Sequence, residues 1–509
     1  MSITDRFRPG NVQIRVNWRV SIGLVGSILK WLTIPLGFPL LLAAYYGEPV
    51  SPFLVTMAIT LGSGLGLERL RGADELRGRE AFLMVSLAWL TVALVGAVPF
   101  LLGGNGVLAD PVDALFESMS GISTTGATVL EDFSVHGKAM LMWRQTLQWI
   151  GGLGVLVLAI SVLSQLSVGG AQLMETETQT QNVHKLTPQI AGTARLLWKL
   201  YAGITLLCAG MLYALHLGGF APNMTAYNAV AHAMTGVATA GFSPAPESVG
   251  AFSRAAQWTI VPFMFVGATN FILIYHFVLG EWRRPLENDE FRLYVGIVVG
   301  AVALLVGLLT VDPSTQLPLE ARLRHGTFQV VSILTTTGFA TFDFNTWSAG
   351  SKHLLFSLMF LGGMAGSTTC SIKLLRWLIV LKAFRRDLFK AVHPEAVRPV
   401  RLSGTVVDEE TVVDVYAYTL VSLVIFGLAT TFVLVESARH GLVLTEFEAT
   451  TAAAATFFNI GPAFGIAGPF GSYAPFSDLT KVVMILLMWI GRIEIVPVLV
   501  LLTPSYWRS

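Results

Sequence analysis

Apolar positions in this chain come in long blocks. No Asp, Glu, Lys or Arg occurs across Ala81–Ala109, Gln145–Met174, Leu200–Pro246, Ala255–Gly280 or Ala449–Ser477. A helix that crosses the hydrocarbon of a bilayer needs roughly 20 largely apolar residues, and several of these blocks exceed that. The pattern predicts ten membrane spans, near 25–46, 51–68, 81–102, 139–165, 194–217, 253–280, 293–311, 353–381, 412–435 and 479–502. Four further segments, 111–132, 223–246, 318–345 and 444–470, are apolar but too broken to cross. Each starts as a helix-compatible stretch and ends in a Gly/Thr/Pro-rich loop, so the unit span, half-helix, loop, span occurs four times. The expected fold is an all-α integral membrane protein. Residues 1–78 hold an extra N-terminal helix pair, and four repeats follow at 79–166, 190–282, 290–400 and 405–509 in pseudo-fourfold arrangement.

Composition agrees. Of 509 residues 53% are hydrophobic and 13% charged, about half the charged share of soluble domains. A net charge of +1 offers no basic field for nucleic acid, and Cys208 and Cys370, both in apolar runs, offer no disulfide framework. The N-terminus, with Arg6, Arg8, Arg15 and Arg19, lacks a short apolar core with a small-residue cleavage site, and reads as a cytosolic start. With an even span count, well over half of the 33 Lys and Arg residues fall on the side of the two termini. The positive-inside bias makes that side cytosolic, which puts all four loops on the outer side.

The loops align on one glycine. They read Ser123-Thr124-Thr125-Gly126-Ala127-Thr128, Ala238-Thr239-Ala240-Gly241-Phe242-Ser243, Thr335-Thr336-Thr337-Gly338-Phe339-Ala340 and Phe458-Asn459-Ile460-Gly461-Pro462-Ala463. Irregular backbone at membrane depth is tolerated only where it is buried or lines a watery cavity. A dehydrated cation needs a ring of oxygens, which extended backbone carbonyls supply and Thr or Ser hydroxyls extend at the inner mouth. Glycine permits the required dihedrals and close approach. The half-helices turn their partly negative C-terminal ends toward the same point. The expected K+ filter is Thr124, Thr125, Gly126, Thr239, Ala240, Gly241, Thr336, Thr337, Gly338, Asn459, Ile460 and Gly461.

These residues bring out a likeness. SGISTTGATVL at 120–130, ATAGFS at 238–243, TTTGFAT at 335–341 and NIGPAFG at 459–465 resemble the TrkH/TrkG branch of the bacterial Trk/Ktr potassium transporters. Gly362-Gly363-Met364-Ala365-Gly366-Ser367-Thr368-Thr369 and Gly491-Arg492-Ile493-Glu494 agree with it, as does the N-terminal helix pair. The resemblance implies potassium entry through one pore per subunit in the bacterial inner membrane, subunits paired as a homodimer, and a soluble TrkA-like nucleotide-binding regulatory partner. It implies that a glycine in each filter loop goes with potassium selectivity and a serine in the first with sodium passage. Two positions depart from the pattern: Ala463, where a glycine is common, and Ala240, where glycine or threonine is usual.

Gly362, Gly363 and Gly366 followed by Ser367, Thr368 and Thr369 break the span 353–381 at mid-membrane. By resemblance this is a gate loop just below the filter; small-residue helix packing through Gly362 and Gly366 is the competing reading. Cys370-Ser371 stands where the family often has two glycines, which suggests a stiffer loop. Lys373 joins the gate set, while Arg376 is expected to snorkel to the cytosolic interface. Arg492 lies deep in the last span, where a charge is costly and seeks a partner. It is expected to act as a barrier to cations that holds the gate loop, or else as an ion-pair partner of another span, such as through Glu117. Glu117 and Glu448 on the half-helices are expected to brace loops, and His232 and His276 to be satisfied helix residues. The basic loop 382–401 and the polar loop 175–193 are large enough to dock a partner.

No zinc-protease, nucleotide-binding or nucleophile-elbow motif occurs, so no enzyme and no organic cofactor is expected; K+ is cargo. Loops that all enter from one side favour a pore over an inverted-repeat carrier. A proton- or sodium-coupled symporter on the same scaffold remains the alternative.

Overall fold

The computed structural model describes residues 16–71, 78–103, 105–161, 190–313 and 316–508. Helices α1 (Trp18–Tyr46) and α2 (Ser51–Glu68) form an antiparallel pair, turned by Gly47 at φ 71°. The pair crosses where Gly26 and Gly64 leave backbone against backbone, and Lys30 reaches Glu68 at 2.7 Å beside that crossing.

The element order then runs long helix, short helix, loop, helix. First come α3 (Gly78–Gly103), α4 (Pro111–Ile122) and α5 (Lys138–Ser161). Next are α6 (Ile190–Leu217), α7 (Ala226–Val237), α8 (Arg254–Gly267) and α9 (Phe271–Val278), with α10 (Arg283–Glu287) as a short connection. Then follow α11 (Asp289–Val311), α12 (Leu319–Leu334), α13 (Ala349–Leu358) and α14 (Leu374–Val392). An antiparallel hairpin, β1 (Val400–Leu402) with β2 (Thr405–Val407), pairs Val400 with Val407 and turns through Ser403 and Gly404, both at positive φ. Last come α15 (Glu409–Arg439), α16 (Glu446–Phe457), α17 (Asp478–Arg492), α18 (Val496–Leu502) and α19 (Pro504–Arg508).

Local chemistry places the short helices. The Asp110 carboxylate accepts the Val112 and Asp113 N–H groups, with Pro111 opening α4. Thr225 caps α7, and Thr445 with Glu448 forms a capping box on α16. Their C-terminal halves are buried: Met119–Ile122, Ala231–Val237 and Ala452–Phe457 all lie in the core. The long helices around them show the reverse. Leu206, Leu304, Leu420 and Leu428 stand exposed, as helices apolar all round do when lipid is their solvent.

Five helices are long and apolar enough to cross a bilayer, namely α1, α3, α6, α11 and α15 among the described residues. Three expected spans differ from the drawn ones. The segment 253–280 bends by 108° between α8 and α9, and 479–502 bends by 114° between α17 and α18. The segment 353–381 is helical only to Leu358 and again from Leu374. Each break has a local cause. Asn270 caps α9 through Ile272 and Leu273 N–H, Glu494 and Ile495 adopt positive φ before Pro497, and glycine fills the third. Most of the loop 175–193, and Arg6, Arg8 and Arg15, lie outside the described residues.

Candidate functional site

The four aligned loops share one backbone conformation. Two residues before each glycine the chain enters the left-handed region: Thr124 at φ 55°, Thr239 at 50°, Thr336 at 51° and Asn459 at 54°. The glycines follow at 80° (Gly126), 85° (Gly241), 78° (Gly338) and 99° (Gly461). Non-glycine residues rarely hold such angles unless their surroundings enforce them. The enforcement is a repeated bond back to the short helix. Thr125 N–H donates to Ser120 O at 2.9 Å, Ala240 to Thr235 O at 2.9 Å, Thr337 to Ser332 O at 2.8 Å and Ile460 to Ala455 O at 2.9 Å.

The loops also close on one another. A Cβ on Gly126 would come within 3.0 Å of Ala240 O, one on Gly241 of Thr337 O, one on Gly338 of Ile460 O and one on Gly461 of Thr125 O. The order is a cycle: each glycine faces the carbonyl that precedes the next loop's glycine. An open cavity of about 310 Å³ is lined by all four glycines, with Glu131, Arg144 and Ser243 at its wall. A ring of backbone carbonyls backed by threonine hydroxyls can replace the hydration shell of a monovalent cation. Among the described residues no group of three or more His, Cys, Asp or Glu could hold a metal ion.

Beneath the loops lies the segment between α13 and α14. Thr368 Oγ1 meets Thr239 Oγ1 at 2.9 Å and donates to Gly267 O at 2.9 Å. Cys370 N–H donates to Thr336 Oγ1 at 3.1 Å, and its thiol lies 3.9 Å from Thr124 Oγ1. The first three loops thus meet this segment through their left-handed threonines. The freed carbonyls and amides are largely taken up. Met364 N–H bonds Ala268 O, Phe271 N–H bonds Gly366 O and Ala365 N–H bonds Glu290 Oε1, each near 3 Å. Gly362 closes the loop on itself, its N–H donating to Ile372 O at 2.9 Å, and Gly363 lies against Ala268 O. Glycine therefore serves backbone approach inside the loop and against the α8–α9 break, not a helix crossing through Gly362 and Gly366. Ser367 Oγ bonds Met364 O and Thr369 Oγ1. Lys373 donates to Thr369 through both its carbonyl and its hydroxyl.

Arg492 comes up against this loop. Its Nη1 donates to Thr368 O at 2.9 Å and lies 2.8 Å from Cys370 Sγ; its Nη2 donates to Gly151 O at 2.7 Å. The competing reading of Arg492, an ion pair with Glu117, does not form: both Nη atoms go to backbone carbonyls, and Glu117 pairs with Arg144 at 2.6 Å. Arg376 does not snorkel either: its guanidinium meets Glu494 at 2.5 Å and stacks 3.8 Å over Tyr418. Glu117 braces the first loop by accepting Thr128 Oγ1 and Val129 N–H, whereas Glu448 serves its own helix cap. His232 bonds Asn228 O and Ser243 Oγ, and His276 bonds Glu281.

Several site residues escape the sequence reading. A Cβ on Gly151 would collide with Ile122 O, on Gly267 with Val237 O and on Gly491 with Phe457 O. In each case an inner-helix glycine admits the carbonyl four residues before the loop glycine. Their place in charge-free runs was a signal for Gly151 and Gly267, while Gly491 adjoins Arg492 in a stretch that agrees with the family resemblance. Gln148 carried none, since its partners Ala240 O and Phe242 N–H lie more than 90 residues away.

A family model described as cation transport protein, TrkH, matches residues 53–509. The chain is 35% identical over 501 residues to the Trk system potassium uptake protein TrkH of Halomonas elongata, covering 96% of this chain and 99% of the relative. It is 32% identical over 498 residues to TrkG of Escherichia coli, covering 96% and 99%. The crystal structure of the potassium transporter TrkH from Vibrio parahaemolyticus superposes with a TM-score of 0.86 at 32% identity, over 97% of this chain and 100% of that one.

Proposed function

The chain belongs to the TrkH family of cation transport proteins, and from that premise we propose that it carries K+ inward as the membrane subunit of a Trk-type uptake system. It is a multi-pass membrane transport protein and not an enzyme. The reading extends to a filter of four loops contributed by the four repeats at 79–166, 190–282, 290–400 and 405–509, gated by the loop from Gly362 to Thr369 with Lys373 and Arg492. The observation that carries it is the cycle in which every loop glycine faces a carbonyl of the next loop. Only a closed ring gives a dehydrated cation oxygens on all sides.

The gate reading draws on Thr368 and Cys370 lying directly under Thr239, Thr336 and Thr124, a position that blocks passage while Arg492 holds the loop. The inner bacterial membrane, cytosolic termini, a homodimer and a TrkA-like nucleotide-binding partner complete the assignment. For the partner, the relatives' designation as parts of a Trk system gives the ground. Uptake of K+, Rb+ and Na+ into proteoliposomes without an imposed proton or sodium gradient tests the whole. Passive K+ and Rb+ entry with little Na+ is expected. Entry that requires such a gradient would establish the coupled symporter instead.

A further inference from the structure

Arg144 and Gln148 stand one helical turn apart on α5, on one face, and both reach out of their own repeat into the second loop. Arg144, 1% exposed, gives Nε to Glu117 Oε1 at 2.6 Å, Nη2 to Thr128 Oγ1 at 3.1 Å and Nη1 to Ser243 O at 3.2 Å. Its guanidinium covers the Phe242 ring at 4.1 Å. Gln148 donates Nε2 to Ala240 O at 2.5 Å and accepts Phe242 N–H at 3.0 Å, so one carboxamide clips the backbone on both sides of Gly241. Ala240 O is also the carbonyl that faces Gly126. The first and second loops are therefore tied together from behind at the carbonyl where they meet.

We propose that Glu117, Arg144 and Gln148 are positioning residues that set the discrimination between K+ and Na+, a step that rests on the pore reading above. The same place behind the other loops is filled by weaker chemistry. His232 there bonds Ser243 Oγ, neither carboxamide atom of Gln329 is bonded, and Ala452 has no polar group. Glu117 thus has no charged counterpart at the matching positions His232, Gln329 and Ala452, and its pair with Arg144 stands at the junction whose loop carries Ala240; the buried Lys481–Asp113 pair, 2.6 Å apart, joins α17 to the start of α4 instead. The Glu117–Arg144 pair is neutral as a unit, so it adds little net field at the mouth; what it fixes is where carbonyls stand. A carbonyl freed from Gln148 can close in on a smaller ion.

The test compares wild type with Gln148→Met, which keeps side-chain length but removes the carboxamide's donor and acceptor, and with the double variant Glu117→Gln/Arg144→Gln. K+, Rb+ and Na+ uptake are measured in proteoliposomes beside thermal unfolding of each purified protein. Loss of the Gln148 bonds is expected to lower the K+-to-Na+ uptake ratio about tenfold while the protein stays folded. A merely structural brace would lower the melting temperature and total flux at an unchanged ratio. A ratio within about twofold of wild type in Gln148→Met overturns the proposal. If the double variant does not fold, Gln148→Met and Gln148→Asn decide alone, because neither strands a charge. A wild type that passes K+ and Na+ alike has no discrimination for these residues to set and overturns this inference alone, whereas K+ entry only under an imposed proton or sodium gradient overturns the pore reading, and this inference with it.

Discussion

Arg376 and Glu494 meet at 2.5 Å, joining the first turn of α14 to the turn that breaks the last membrane helix. One partner directly follows the intramembrane loop, and the other lies two residues beyond the arginine that holds that loop. The two breaks are therefore coupled by charge as well as by Arg492 itself.

Glu494→Gln leaves Arg376 with a weaker acceptor and Tyr418 as its remaining contact. A fully buried pair broken from one side costs about 3–5 kcal/mol. The Glu494 side chain keeps 39% exposure, so about 1–2 kcal/mol is expected. The readout is thermal unfolding in detergent beside basal K+ flux: a lower melting temperature with raised flux. Unchanged values of both would show the pair to be incidental to the breaks.

Gly338→Ser puts a Cβ against Ile460 O at a φ of 78°. Strain of about 1–3 kcal/mol follows from the angle alone, and relief requires the third and fourth loops to part. Isotope uptake by the purified variant should fall about tenfold or more for K+, with a smaller fall for Na+. Equal K+ selectivity in the variant would remove that glycine from the filter.

Much of this site was legible in the sequence because its logic repeats. Thr-Thr-Gly or its relic recurs behind four half-helices, and glycine in those loops has a backbone reason. The kinks were harder to see. Residues 253–280 and 479–502 are apolar enough to cross unbroken, and hydropathy does not register a carbonyl at Gly267 captured by Thr368 or a left-handed Glu494. Arg376 looked like an interfacial cation because its partner lies 118 residues away. Arg492 was visible as a costly charge, but its acceptors are backbone oxygens, which no side-chain pattern reveals.

Gly491→Ala should test the packing beneath the fourth loop. The added methyl would meet Phe457 O and the Asn459 carboxamide, and Asn459 already donates to Thr125 Oγ1 at 2.7 Å and to Met488 O at 2.9 Å. Overpacking of this kind costs about 1–3 kcal/mol. Because Asn459 carries the left-handed turn, K+ selectivity should weaken along with the melting temperature. Gly427→Ala, on α15 with open space around it, should change neither and serves as the control.

Arg492→Ala removes the donors to Thr368 O and Gly151 O and the contact with Cys370 Sγ. The loop then keeps its bonds to the α8–α9 break but loses its anchor on the opposite side of the pore. Basal K+ flux should rise several-fold, about what two lost charge-assisted bonds of roughly 1.5 kcal/mol each allow once water replaces part of them. Cys370→Gly supplies the graded case: it deletes the thiol contact, keeps the guanidinium and should raise flux less. Arg492→Lys keeps the charge but cannot span Thr368 and Gly151 with one fork. If electrostatics alone blocks the pore, Arg492→Lys will match wild type; if the held loop blocks it, Arg492→Lys will leak. Normal expression with unchanged flux in both Arg492→Ala and Cys370→Gly would mean that the loop is closed by its bonds to Gly267 and Ala268, and that the arginine only completes the packing.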